Sequence, residues 1–205
     1  MIELYTAATT NGQRASIVLE ECGIPYQVHK VDLQKGEQHS VAFLALNPRG
    51  QVPVLVDPQG PGGKPLTIAQ SGAIVLHCAM TSGKFLPADP ARRPLVLQAF
   101  MAAMSDCSPW SGALFVTEER VPDRSAKNAD FIRNTLLLHF KEADRLLGLG
   151  GYLAGEVSIA DFALYPTYNY RAPLLHEGGK LPNLKRWAAA MAARPALQRG
   201  MKVPA

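Results

Sequence analysis

Phe43-Leu44-Ala45-Leu46-Asn47-Pro48-Arg49-Gly50-Gln51-Val52-Pro53-Val54-Leu55 carries the chain from a helix into a strand. Val41 to Leu46 reads as a short helix and Val52 to Asp57 as a strand that contains Pro53. Proline fixes its own φ and has no N–H to give, so Pro53 belongs at a strand edge or a strand start. Two readings of Val52-Pro53 stand. In one the bond is cis, and the N–H and C=O of Val52 face a crevice where they can pair with an extended peptide as an added strand. In the other it is a plain trans proline at a strand start, since cis is a small minority of X-Pro bonds.

Working outward, Ile2 to Thr6 reads as a first strand. Gln13 to Cys22 has helical spacing (Ser16, Leu19, Glu20), and Gly23 and Pro25 stop it. Tyr26 to Leu33 alternates as a second strand. Beyond the third strand come a Gly/Pro-rich turn over Pro58 to Lys64, a short strand at Leu66 to Ala69 and a helix over Ser71 to Met80. The order is βαβ, then a helix, then ββα. The first unit implies two parallel strands joined by a right-handed crossover. The last two strands form an antiparallel hairpin. The result is a mixed α/β sheet of four strands with helices on both faces.

After Pro87 the strand signals vanish. Arg93 to Cys107 is apolar at helical spacing, with a kink expected at Ser108-Pro109-Trp110. Ser125 to Gly148, Ser158 to Tyr170 and Leu184 to Ala193 give further helices. The spacing predicts an α/β domain over 1–81, a linker over 82–89 and an all-helical domain over 90–205. Ser158-Ile159-Ala160-Asp161 reads as a capping box with Asp in place of Glu, and Val157 and Phe162 stand at the positions of a hydrophobic staple. This is a folding device rather than a catalytic one.

The composition is that of a globular chain: 205 residues, 47% apolar and 19% charged. No apolar run reaches the ~18 residues of a membrane span. Met1-Ile2-Glu3-Leu4-Tyr5 lacks the pattern of a signal peptide, so a cytoplasmic protein is expected. The net charge of +4 is scattered, with no basic stripe for nucleic acid. Three cysteines, Cys22, Cys78 and Cys107, are widely spaced without a CxxC, and the five histidines are dispersed. Neither a disulfide framework nor a metal site is expected. Cys22 and Cys78 lie in apolar helical segments and read as buried and inert.

Three loop elements fall at one end of the expected sheet, where ligands of open α/β sheets bind. They are Thr9-Thr10-Asn11-Gly12 after the first strand, Gln51-Val52-Pro53-Val54, and Gln70-Ser71 before the third helix. Ser71 reads as a helix N-cap. It is either a simple cap or, with the first-turn N–H groups, a carboxylate site. Thr9, Thr10 and Asn11 are either a polar turn or a set of donors able to stabilise a thiolate. A thiol of pKa ~8.5 is about 3% ionised at neutral pH. Lowering that pKa by ~2 units takes ~2.7 kcal/mol. One hydrogen bond to a charged group supplies ~1.5–3 kcal/mol.

Taken with Phe162 and the Ser158 box, these motifs resemble the glutathione transferase family over essentially the whole chain. Each motif is modest alone; their order and spacing are specific. The loop Leu4-Tyr5-Thr6-Ala7-Ala8-Thr9-Thr10-Asn11-Gly12-Gln13, with Gly36-Glu37-Gln38, is most similar to the bacterial Nu class, with Thr10 where that class has Pro. The resemblance implies a thioredoxin-like N-terminal domain that binds glutathione as co-substrate. It also implies a helical domain that forms the pocket of a small disulfide or electrophilic second substrate, and a homodimer. It places Thr9 and Asn11 at the glutathione sulfur, assisted by Thr10. Gln38 would lie on the tripeptide backbone, Val52 and cis-Pro53 against the cysteinyl unit, and Gln70 and Ser71 at the γ-glutamyl end. No metal is implied. The implied activity is glutathione-dependent disulfide reduction or conjugation; the alternative is a non-catalytic binding protein of the same fold. Two departures are visible: Gln70 stands where the family has Glu, and Phe131, with Arg133 two residues on, stands where the class has a glutathione-reaching Arg.

Overall fold

The structure, a computed structural model, describes residues 1–178 and 180–205. It contains two compact units: Met1–Lys84 together with Ala193–Ala205, and Phe85–Ala192. The expected domain at 90–205 therefore loses its tail, which belongs to the first unit.

In the first unit, strands β1 (Ile2–Thr6), β2 (Tyr26–Lys30), β3 (Val54–Asp57) and β4 (Leu66–Ala69) form one sheet in the order β2-β1-β3-β4. β1 and β2 are parallel; β3 is antiparallel to β1 and to β4. The helices are α1 (Thr10–Cys22), α2 (Val41–Leu46), α3 (Ser71–Ser82) and, from the tail, α9 (Pro195–Gly200). Leu4, Ile17, Val18, Leu55, Ile74 and Val75 have no exposed surface and fill the space between the sheet, α1 and α3. A second cluster of Val31, Phe43 and Val54 takes Tyr5, Leu46 and Val52 against it. The stretch between helix and strand is thus anchored by apolar residues on both sides of its turn.

Two boundaries differ from the sequence reading in ways that matter. α1 starts at Thr10, not Gln13, because Thr9 is its N-cap and its Oγ1 accepts the Gly12 N–H at 3.0 Å. The helix ends at Gly23, which adopts the left-handed conformation (φ 70°). β3 starts at Val54, after the proline, which cannot donate to the ladder.

The second unit is helical: α4 (Arg93–Met101), α5 (Ser108–Phe115), α6 (Ala126–Gly150), α7 (Ile159–Gly178) and α8 (Pro182–Ala192). Near the expected kink the helix takes a π-helical turn over Ala102–Cys107, two residues ahead of Pro109, whose missing N–H removes one bond of the regular ladder. α7 runs past the expected end at Tyr170, through Pro166 and Pro173. Leu164, Tyr168, Arg171 and Leu175 continue one buried stripe, and that burial outweighs the bonds the prolines remove. The capping box forms: Asp161 Oδ2 accepts the Ser158 N–H at 2.9 Å and Ser158 Oγ accepts the Ala160 N–H at 3.3 Å. Asp161 Oδ1 also takes the Leu153 N–H and the Trp187 indole N–H, so the box ties α7 to α8. Burial holds the Asp161 carboxyl above its ordinary range, against the pull of these donors. Among the described residues no helix is long and apolar enough to cross a membrane.

Candidate functional site

At the end of the sheet where β1 gives way to α1, the first unit opens a crevice of about 310 Å³. Thr9, Asn11, Gln38, Val52, Pro53, Gln70 and Ser71 all line it, with Leu33, Asn47, Gly50 and Gln51. All three loop elements named from the sequence therefore meet at one place. Thr10 does not line the crevice; it occupies the first position inside α1.

Thr9 gets its place from capping. Its oxygen is already an acceptor for the Gly12 N–H, so its own O–H is left to donate. Gly12 permits that closeness: a Cβ there would lie 2.2 Å from the Ala7 carbonyl oxygen and 2.5 Å from Thr6 Oγ1. Asn11, in the first turn rather than in a loop, has its side-chain oxygen engaged twice. Arg14 Nη1 donates to Asn11 Oδ1, and so does the Ser71 hydroxyl, at 3.3 Å. The amide nitrogen of Asn11 makes no hydrogen bond among the described residues.

Ser71 is not the cap of α3 but its first residue; Gln70 occupies the cap position with φ 81° and ψ 115° and makes no side-chain cap bond. A non-glycine residue at such a φ is strained by ~1–3 kcal/mol and tends to sit where function requires it. The Val52–Pro53 bond is cis. The backbone N–H and C=O of Val52 take part in none of the hydrogen bonds found outside the helices and strand ladders. The turn before it is held by Asn47, whose Nδ2 donates to the Gln51 carbonyl at 2.7 Å and whose Oδ1 accepts the Arg49 N–H at 3.2 Å. Gln51 belongs to a loop placed at this end from the sequence, whereas Asn47 was not singled out; nothing in its type marks it as lining.

Gln38 is the middle residue of a short 3-10 turn at Glu37–His39. Its Oε1 is buried yet has no hydrogen-bond partner among the described residues. A buried acceptor left without a partner is costly, and one that lines a crevice is an acceptor for a ligand N–H.

Within the first unit, Tyr5, Ser16, Cys22 and Cys78 do not line the crevice. Tyr5 donates to Glu3 Oε2 at 2.9 Å and stacks on His29 at 4.4 Å. The Ser16 hydroxyl is given to the Gly200 carbonyl at 2.7 Å. Cys22, Cys78 and Cys107 are buried, and none of the three is in a disulfide. Burial pushes the Cys78 thiol up to about 12 and raises that of Cys22 as well. Among the described residues no group of His, Cys, Asp and Glu side chains is gathered to hold a metal.

Comparison with known proteins identifies the family. The family model "Glutathione S-transferase, N-terminal domain" matches residues 10–80, and "Glutathione S-transferase, C-terminal domain" matches residues 106–199. The disulfide-bond oxidoreductase YfcG of Escherichia coli is 31% identical over 198 residues, which cover 96% of this chain and 92% of that protein. A glutathione transferase from Pseudomonas putida, solved with one glutathione disulfide bound per subunit, has a TM-score of 0.90 and 34% identity, covering 100% of this chain and 92% of its own. One from Burkholderia graminis, solved with two glutathione molecules bound per subunit, has a TM-score of 0.92 and 32% identity, covering 99% of this chain and 88% of its own. The chain belongs to the glutathione S-transferase family.

Proposed function

We propose that this protein binds glutathione in the crevice and uses the thiolate of the bound tripeptide, rather than a residue of its own, to reduce disulfides. The observation that carries the reading is the pairing, in one crevice, of uncommitted donors at one end and a bound-in acceptor at the other. Thr9 O–H and Asn11 Nδ2 are free to donate, and Gln38 Oε1 is buried and unpaired. An extended peptide with a thiol at its centre matches that layout. Val52 beside cis-Pro53 takes the cysteinyl backbone as an added strand. Gln70 and the first-turn N–H groups of α3 take the γ-glutamyl end.

The reaction balances with glutathione alone. The thiolate attacks one sulfur of R–S–S–R′, forming a mixed disulfide and releasing R′S⁻, which takes a proton. A second glutathione thiolate attacks the glutathionyl sulfur of the mixed disulfide. Glutathione disulfide and RS⁻ result, and two glutathiones have supplied two electrons. Conjugation uses the same thiolate against an electrophilic carbon. Disulfide reduction is preferred for the likeness of the first loop to the Nu class and for the name of the Escherichia coli relative. Structural neighbours that hold glutathione disulfide or two glutathiones per subunit fit the two-glutathione stoichiometry.

The test is glutathione-dependent reduction of a small disulfide, coupled to glutathione reductase. Thr9→Ala and Asn11→Ala each remove a donor to a charged sulfur, worth ~1.5–3 kcal/mol, so each should lose roughly ten- to a hundredfold in rate. Thr10→Ala, off the crevice, should stay within about threefold of wild type on the same scale. Activity that survives both Thr9→Ala and Asn11→Ala would sink the reading.

A further inference from the structure

Arg14 is a cation with no exposed surface, one turn into α1. A buried guanidinium is tolerated only when its donors are engaged. One engagement is local: Nη1 donates to Oδ1 of Asn11, three residues earlier on the same face of the helix. The oxygen that Arg14 holds is the one that also receives the Ser71 hydroxyl, at 3.3 Å, from the start of α3.

A carboxamide has an accepting end and a donating end, and a half-turn about its terminal bond exchanges them. At Asn11 that exchange would set an NH₂ group against a guanidinium N–H, donor against donor. The Arg14 bond therefore selects one orientation, oxygen inward, and leaves Nδ2 as the end uncommitted within the protein. Asn11 lines the crevice. The positive charge behind the oxygen also draws electron density from the amide and strengthens its N–H as a donor.

We infer that Arg14 is a positioning residue for the thiolate: it holds the Asn11 carboxamide so that Nδ2 is the group presented to the glutathione sulfur. The assignment rests on the glutathione reading above. Arg14 itself touches no substrate; it acts through Asn11. A lysine is a poor substitute, because a single ammonium on a flexible stem lacks the fixed planar fork that sets direction as well as charge.

The experiment is a pH titration of the ultraviolet thiolate band of glutathione bound to the full chain, with thermal unfolding of each variant beside it. Wild type, Arg14→Met, Asn11→Ala and the double variant are compared. Arg14→Met is expected to raise the thiol midpoint by about one unit, and Asn11→Ala by about as much or more. The double variant should match Asn11→Ala alone, because a residue that works through Asn11 has nothing to add once Asn11 is gone. Asn11→Asp keeps the oxygen acceptor for Arg14 and removes the donor. It should unfold at a higher temperature than Asn11→Ala while its thiol midpoint is raised at least as far. This pair keeps Arg14 in place and decides the matter if Arg14→Met does not fold. A midpoint unmoved in Arg14→Met, additive shifts in the double variant, or Asn11→Asp melting no higher than Asn11→Ala each overturn the assignment alone. A wild-type protein without a thiolate band at any pH overturns the glutathione reading, and this assignment with it.

Discussion

Gln70 holds a backbone conformation that costs a non-glycine residue ~1–3 kcal/mol, on the lip of the crevice. Its neutral amide stands where glutathione transferases have a carboxylate. If the γ-glutamyl ammonium lies there, Gln70→Glu converts a neutral hydrogen bond into a charge-assisted one. Affinity for glutathione by titration calorimetry should then rise roughly tenfold. An unchanged affinity would place the ammonium elsewhere. At this scale the sequence was informative about residue types and less so about their duties. The loops holding Thr9, Asn11, Val52, Pro53, Gln70 and Ser71 could be placed at the ligand end of the sheet from the order of elements, while Gln38 and the choice of a site over a plain turn or cap came from the family resemblance. Which oxygen faces which donor was not legible. Ser71 looked like a cap, yet Gln70 holds that position, because the φ that decides it is a property of the backbone and not of the residue type. The engagement of Asn11 by Arg14 was invisible for a similar reason: an arginine in a helix reads as surface until its burial is known.

The element that most governs the site is the first turn of α1. Gly12 brings the turn against the end of β1, closer than any Cβ allows. In Gly12→Ala the new methyl would meet the Ala7 carbonyl, which is backbone and cannot swing aside. The turn must open, and with it the Thr9 cap that depends on the Gly12 N–H. Glutathione affinity should fall by about tenfold or more, and the cap loss alone should cost ~1 kcal/mol of stability by denaturant unfolding. A Gly12→Ala protein that binds glutathione as wild type does would show that the cap does not set the site. Element types followed from periodicity, as did the parallel first pair and the antiparallel last pair; the pairing of β3 with β1 that completes the order did not. Boundaries did not follow. A capped helix start depends on whether a side chain three residues earlier turns inward, and a proline-bearing helix such as α7 continues when its buried stripe continues.

On the scale of the molecule, the first unit is discontinuous in sequence. Its last helix, α9, lies along α1 so closely that a Cβ on Gly200 would come within 2.6 Å of the Ile17 Cα. Ser16 bonds to the Gly200 carbonyl, Arg194 forks onto Glu21 at 2.7 and 2.6 Å, and Arg199 reaches Glu20 at 2.6 Å. Gly200→Ala overpacks this seam and should cost ~1–3 kcal/mol, seen as a melting temperature lower by roughly 2–10 °C. A melting temperature equal to wild type would mean the helices part without cost. That the tail belongs to the first unit was not legible, since an amphipathic segment after a run of helices carries no mark of which neighbour will cover it.

The same seam bears on how the chain is born. Translation delivers α1 before the second unit and α9 only after the helices α4 to α8 have been made. Until α9 leaves the ribosome, the face of α1 that holds Ile17 and Ser16 lacks its cover, and the nascent first unit remains an unfinished fold. A unit begun before its neighbour is therefore closed after it, and a ribosome stalled before Pro195 would display a four-stranded sheet still missing the helix that covers α1.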